Sequence, residues 1–241
     1  MSAGLRSLPT LADAVAELRH RPVNYDEAQA PPFVVEGWHR DRRVIEVGHE
    51  PPGEPVPGGL VETAAVLVNS YEFSDPRILR AAFHHPGGLV GRDMLLEGRF
   101  LFLRFLLGVR ITAQLDEMRD GPNGPERVVG WSYQTLRGHL EQGRLGYEVA
   151  KELGTGRVEF RIVAHSRRAP IANPLFRLGF RLFGRYTQLR FYRHALARLH
   201  RLMADPPAPP QPGTDGLVRA PSGVEPGRFE TFTLRFLHPG H

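Results

Sequence analysis

The sequence predicts an α+β fold in which an antiparallel β-sheet curves around one long C-terminal helix. Segments 109–116, 129–135, 145–149 and 158–166 each alternate apolar and polar residues with a period of two. The connections between them, Gly121-Pro-Asn-Gly124 and Gly154-Thr-Gly156 among them, are too short for crossover helices, so the strands form a meander. Downstream, Leu175, Leu178, Leu182, Tyr186, Leu189, Tyr192, Leu196, Leu199 and Met203 recur at steps of three and four. That is an amphipathic helix of about eight turns, long enough to lie across the apolar face of the sheet.

Each element follows from local chemistry. Thr10, with Asp13 three positions on, makes a capping box that opens a short helix over 10–20. Phe33–Trp38 and Arg43–Val47 read as two short strands joined by a charged turn, followed by a linker carrying Pro51, Pro52, Pro55 and Pro57. Val61–Phe73 reads as a long β-type run, and Ser74-Asp-Pro-Arg77 as a helix start with Pro76 in the first turn. Val109, Ile111, Ala113 and Leu115 share one strand face. Val129, Trp131, Tyr133 and Thr135 share the next, Leu145, Tyr147 and Val149 a third, and Val158, Phe160, Ile162, Ala164 and Ser166 a fourth. Pro174 opens the long helix, and Pro206 and Pro207 stop it. Phe232, Leu234 and Phe236 alternate as a terminal strand. The expected organisation is an N-terminal extension over 1–59, a main domain over 60–205, and a Pro-rich linker with a C-terminal tail over 206–241.

Composition removes whole classes of chemistry. The 241 residues contain no cysteine, which excludes disulfides, thiolate metal sites, iron–sulfur clusters and a cysteine nucleophile. The cations are 30 Arg and one Lys, Lys151, which sits in Glu148-Val-Ala-Lys-Glu152 without a Gly-rich loop, so a P-loop nucleotide triphosphatase is excluded. The N-terminus lacks an apolar signal region, and the longest apolar run, Phe100–Leu107, contains Arg104 and is too short to cross a bilayer. The expected address is cytoplasmic, and no cofactor is expected. The net charge of +5 is unevenly placed: residues 160–204 hold ten arginines and no Asp or Glu, and the remainder is net acidic.

Gly130-Trp-Ser-Tyr-Gln-Thr-Leu-Arg-Gly-His-Leu-Glu-Gln-Gly143 is the most specific string. It resembles the hallmark of a bacterial and plant family of unknown function, in which Gly-aromatic-x-Tyr-x-Thr-Leu runs into Gly-His-x-Glu-x-Gly. The resemblance continues through Gly156-Arg-Val-Glu-Phe-Arg-Ile162, Ser166-Arg167 and the Arg-rich helix. Upstream it takes in Tyr71-Glu-Phe-Ser-Asp-Pro76 and Gly91-Arg-Asp-Met-Leu-Leu96, and covers Glu62 to Met203. That family is similar to the START and Bet v 1-like superfamily. The resemblance implies a helix-grip fold, with an apolar or lipid-like small molecule held between sheet and helix, or a cyclase or hydrolase in some members.

The candidate residues follow from these registers. Trp131, Tyr133, Thr135, Tyr147 and Ser166 fall on the inward faces, where polar atoms on an apolar wall orient a guest or bond within a filled core. Arg167 is the candidate for an anionic head group, ahead of Arg92 and Arg110. His139 and Glu141 are the candidates for a base and its orienting carboxylate at a cavity mouth, against a plain turn as the alternative. Ser132 lies mid-strand outside a Gly-x-Ser-x-Gly frame, which disfavours a hydrolase. The eleven histidines are scattered, so no metal site is expected. The leading expectation is non-catalytic binding of an apolar or lipid-like small molecule. An enzyme using His139 and Glu141 is the alternative. A further one is an adaptor for an anionic membrane surface or a protein partner, working through the basic 171–203 helix. A nucleic-acid groove is disfavoured because the basicity is confined to one segment.

Overall fold

The alternating segments do form neighbouring antiparallel strands, and the computed structural model describes residues 10–26, 37–84, 88–100, 103–170 and 174–223. β1 (Trp38–His49), β2 (Leu79–His84), β3 (Asp93–Phe100), β4 (Leu103–Gly121), β5 (Gly124–Thr135), β6 (Glu141–Glu152), β7 (Arg157–Arg168) and β8 (Leu217–Ala220) make one sheet. Its order is β1-β7-β6-β5-β4-β3-β2-β8. The helices are α1 (Leu11–Glu17), α2 (Leu60–Asn69) and α3 (Pro174–Leu202). α2 packs across β1 and β5 to β7, α3 across β1 and β7, and the two helices touch. This curved antiparallel sheet gripping a C-terminal helix is the helix-grip arrangement.

Register decides which side chains face the helices. Trp131 pairs with Tyr147 and Tyr133 with Leu145, while Tyr147 in turn pairs with Ile162 and Val149 with Phe160. The inner face therefore carries Val109, Ile111, Trp131, Tyr133, Tyr147, Val149, Phe160 and Ile162, all buried. Against them lie Val61, Ala64, Leu67 and Val68 of α2 and Phe191, Tyr192, Ala195 and Leu199 of α3. A second, smaller core forms on the opposite face of the β8-β2-β3-β4 half, where Val15 and Leu18 meet Ala82, Leu95, Leu136 and Leu217. The Thr10 capping box forms as expected and starts α1, the helix that supplies Val15.

Several sequence-based expectations are corrected. Residues 60–69 are a helix rather than a strand: Glu62 sits in its first turn, and Val61, Ala64, Leu67 and Val68 are buried on one side of it. The charged stretch 39–42 is not a turn but the start of β1, paired to β7 from Trp38 onward; the strand expected over 33–37 falls mostly outside the described residues. Ser74–Arg77 starts no helix. The Asp75 carboxylate accepts the Arg77 amide at 2.9 Å and the Ser74 hydroxyl donates to the Leu79 carbonyl at 2.6 Å, so both local bonds close a turn into β2. β2 and β3 go beyond the strands read from the sequence. The sheet also takes β1 from the expected N-terminal extension and β8 from the expected tail, where Leu217, Val218 and Ala220 are buried. The strand expected around Phe232 lies outside the described residues.

Segment 70–75 fills the space between the sheet and both helices. Glu72 N–H bonds the Leu67 carbonyl and Tyr71 N–H the Val68 carbonyl, closing α2 in a motif whose pivot, Tyr71, has φ 62°. Glycine normally takes that conformation, and a bulky residue there stores strain. The ring compensates: Tyr71 is fully buried, 4.8 Å from Phe73 and 6.2 Å from Trp131 between ring centroids.

Candidate functional site

The inner-face aromatics form one cluster. Tyr147 is in contact with Phe73 at 4.4 Å, Trp131 at 4.9 Å and Tyr71 at 6.0 Å, and Trp131 with Tyr133 at 6.3 Å. Three of the predicted residues, Trp131, Tyr133 and Tyr147, are thus brought together, joined by Tyr71 and Phe73, which the sequence reading left out. The hydroxyls of Tyr71 and Tyr147 lie 3.4 Å apart. Burial pushes the phenols of Tyr71, Tyr133, Tyr147 and Tyr192 upward, so all four are neutral donors and acceptors. Two buried donors in this core, Trp131 Nε1 and the Tyr192 hydroxyl, have no hydrogen-bond partner among the described residues.

A polar layer closes the end of the cluster nearest the signature loop. Arg185 of α3 grips Asp41 of β1 with two bonds, 2.5 and 2.6 Å, and Gln188 Nε2 donates to Ser166 Oγ and to Glu141 Oε2, both at 3.3 Å. Burial pushes the Glu141 carboxyl up to about 7, with Arg185 opposing and Asp41 adding to the shift. Thr135 Oγ1 accepts the Gly143 amide at 3.0 Å and donates to Asn24 Oδ1 at 2.5 Å, so this predicted residue holds the strand ends together. Ser166 likewise meets α3 through Gln188.

His139 and Glu141 do not form a side-chain dyad. The Glu141 amide donates to His139 Nδ1 at 2.9 Å, a closer contact than the 3.2 Å from Nδ1 to the Glu141 carbonyl and one that favours the ring proton on Nε2, while the Glu141 carboxylate faces Gln188. Burial holds the imidazole down at about 4, so it is neutral near pH 7. Ser132 is fully buried and accepts a bond from Arg144 Nε at 3.0 Å. Arg167 lies on the opposite sheet face from Trp131 and Tyr147. Its guanidinium sits 4.8 Å above the Trp38 ring and donates to Gln142 Oε1 at 2.9 Å. Arg110 is tied to Asp93 at 2.7 Å, and Arg92 lies over Phe83.

The opposing shifts of Glu141 and His139 give stability a definite pH dependence. The Glu141 carboxyl, raised on folding, favours the folded state below its ordinary value of 4.5 and loses that contribution as pH rises through about 7. His139, lowered on folding, contributes above 6.5 and loses it as pH falls through about 4. Glu141→Gln removes the first effect. Urea unfolding at pH 5 and pH 8 should show the variant gaining on the order of 2 kcal/mol over the native chain at the higher pH. An equal difference at both pH values would refute the raised carboxyl.

Beside this layer, between strand ends and the segment Val23–Asp26, lies a cleft of about 760 Å³. Gln134, Arg137, Gly138, His139 and Gln142, all from the signature string, line it together with Ala169 and Pro170. A second depression of about 480 Å³ opens on the outer sheet face around Arg40, Arg144 and His165. Among the described residues no group of three His, Asp or Glu is gathered as a metal site, and no helix is long and apolar enough to cross a membrane.

A model of the family described as a domain of unknown function (DUF1990) matches residues 20–198, most of the chain. The chain belongs to the DUF1990 family. The DUF1990 match begins well before Glu62, where the sequence resemblance began, and takes in β1 and the segment beside the cleft. Among solved structures, a norcoclaurine synthase point mutant from Thalictrum flavum, in complex with a transition-state analogue, is 10% identical. That alignment covers 72% of this chain and 98% of that one, with a TM-score of 0.45. Ara h 8.0201 is also 10% identical, over 70% of this chain and 99% of that one, with a TM-score of 0.38. No curated protein matches the chain.

Proposed function

We propose that this DUF1990 protein binds, without transforming it, an apolar or lipid-like small molecule between the inner sheet face and α3. The observation that carries the reading is the pair of buried donors without a partner among the described residues, Trp131 Nε1 and the Tyr192 hydroxyl, in surroundings that are otherwise largely aromatic and aliphatic. Leaving a polar group buried and unbonded costs about 1–3 kcal/mol, so such groups mark places where water or a guest supplies the missing acceptor. Phe could fill the Tyr192 position without that cost, and its hydroxyl, with those of Tyr71 and Tyr147 nearby, offers polar atoms that fix a guest's orientation. The His139 and Glu141 geometry favours binding over catalysis, since the imidazole is engaged by a backbone amide and no nucleophile stands beside it.

Native mass spectrometry tests this directly. The expected native mass exceeds the 27.0 kDa chain by one small molecule that organic extraction removes. Trp131→Phe with Tyr192→Phe, folded by circular dichroism, should weaken rebinding about fivefold or more, as for two neutral hydrogen bonds. His139→Ala should carry the same molecule, chemically unchanged. A bare chain mass with no saturable uptake of an apolar fluorescent probe would overturn the proposal, and a different bound molecule in His139→Ala would assign catalysis instead.

A further inference from the structure

The cleft beneath the signature loop is a separate site, and its chemistry is that of an anion receptor. His139 and Gln134 are each about nine-tenths buried and line it. His139 Nδ1 is taken by the Glu141 amide, which leaves the Nε2–H as a donor with no partner. The Gln134 side-chain amide has no hydrogen bond either, and the exposed Arg137 guanidinium at the rim has no acidic partner among the described residues. Gln142 has its oxygen bound by Arg167 Nε, so its NH2 is what remains to offer. An imidazole, two amides and a guanidinium therefore line one space of about 760 Å³ and can offer N–H groups to it. Asp26, the carboxylate on the cleft wall, has an interaction of its own. Asn24 is used in holding the wall, donating to the Glu141 carbonyl and accepting from Thr135.

We propose that this cleft binds a small organic carboxylate, with the carboxylate on His139 Nε2, the Gln134 amide and Arg137 and the apolar body against Val23 and Pro170. One guanidinium with neutral donors matches a planar monoanion, whereas a phosphate dianion calls for more cationic charge than these walls carry. The site does not depend on the sheet and helix interior being a ligand site.

Benzoate is the probe, titrated into the full chain while the His139 ring and Gln134 side-chain signals are followed by NMR. The expected result is saturable shifts at both residues with benzoate and none with benzyl alcohol. Arg137→Ala, a change at an exposed side chain with no ion pair among the described residues, should weaken benzoate about tenfold. Trp131→Phe with Tyr192→Phe should leave the titration unaltered, so failure here and failure of the interior reading are told apart. Absence of saturable shifts, undiminished affinity in both Arg137→Ala and Gln134→Leu, or inorganic phosphate binding as tightly as benzoate would each overturn the proposal.

Discussion

Lys151→Met is expected to destabilise the protein by about 3–5 kcal/mol, the range for removing one partner from a buried ion pair. The solitary lysine is wholly buried, and its ammonium donates to Glu50 Oε2 at 2.9 Å and to the Glu54 carbonyl at 2.8 Å. Glu50 in turn accepts the amides of Val56 and Val61, the latter in the first turn of α2. One cation thus ties the Pro-rich linker, the start of α2 and β6 together. Methionine keeps the hydrocarbon stem and leaves Glu50 buried without its counter-charge. Burial alone would raise the Glu50 carboxyl, but the Val61 amide, Lys151 and the Val56 amide outweigh it and hold the group below its ordinary value. The pair therefore stabilises above pH 4.5 and its contribution fades as pH falls below that. Urea unfolding at pH 7 and pH 3.5 should show a smaller penalty at the second than at the first. A penalty that does not depend on pH would mean that Lys151 acts through packing alone.

Gly130→Ala is expected to cost more than about 4 kcal/mol or to abolish folding, far beyond an ordinary glycine substitution. Gly130 has φ 155°, and a methyl group there would stand 2.1 Å from the Tyr147 carbonyl oxygen across the β5–β6 ladder. The obstacle is backbone in a central strand pair, so no side chain can swing away. Gly143, at the other end of the signature, would meet the His165 carbonyl at 2.2 Å. Thermal unfolding of both alanine variants is the check; a melting point within a few degrees of the native chain would show that the sheet can relax there.

Those two glycines explain why the signature was readable as sequence but not as chemistry. Its glycines set the close approach of β5, β6 and β7, its aromatics fill the core, and Gln134, Arg137, Gly138, His139 and Gln142 line the cleft. A string that does three jobs invites a single catalytic interpretation. The strand registers from Val129 to Ser166 were legible because a half-buried strand writes its period directly into the chain. α2 was not, because Val61, Val66 and Val68 carry β-branched side chains, although burial at 61, 64, 67 and 68 follows a helical step. Tyr71 was invisible as a core residue because its placement depends on a left-handed backbone that local preference assigns to glycine. The basic segment 160–204 misled in a different way. Three of the ten arginines, Arg161, Arg185 and Arg198, are spent on Glu126, Asp41 and Glu72 and so leave less free positive charge than the sequence count implies.

The pairing of β1 with β7 bears on how the protein comes to be made. Ile45 sits opposite Phe160, more than a hundred residues later in the chain. During synthesis the first strand leaves the ribosome long before its partner exists, and β8, which completes the other edge, comes later still. Neither border of the sheet can be finished until nearly all of the described chain has emerged. Completion of the sheet therefore waits for β7 and β8 to emerge, and a long loop has to close as well as the local hairpins.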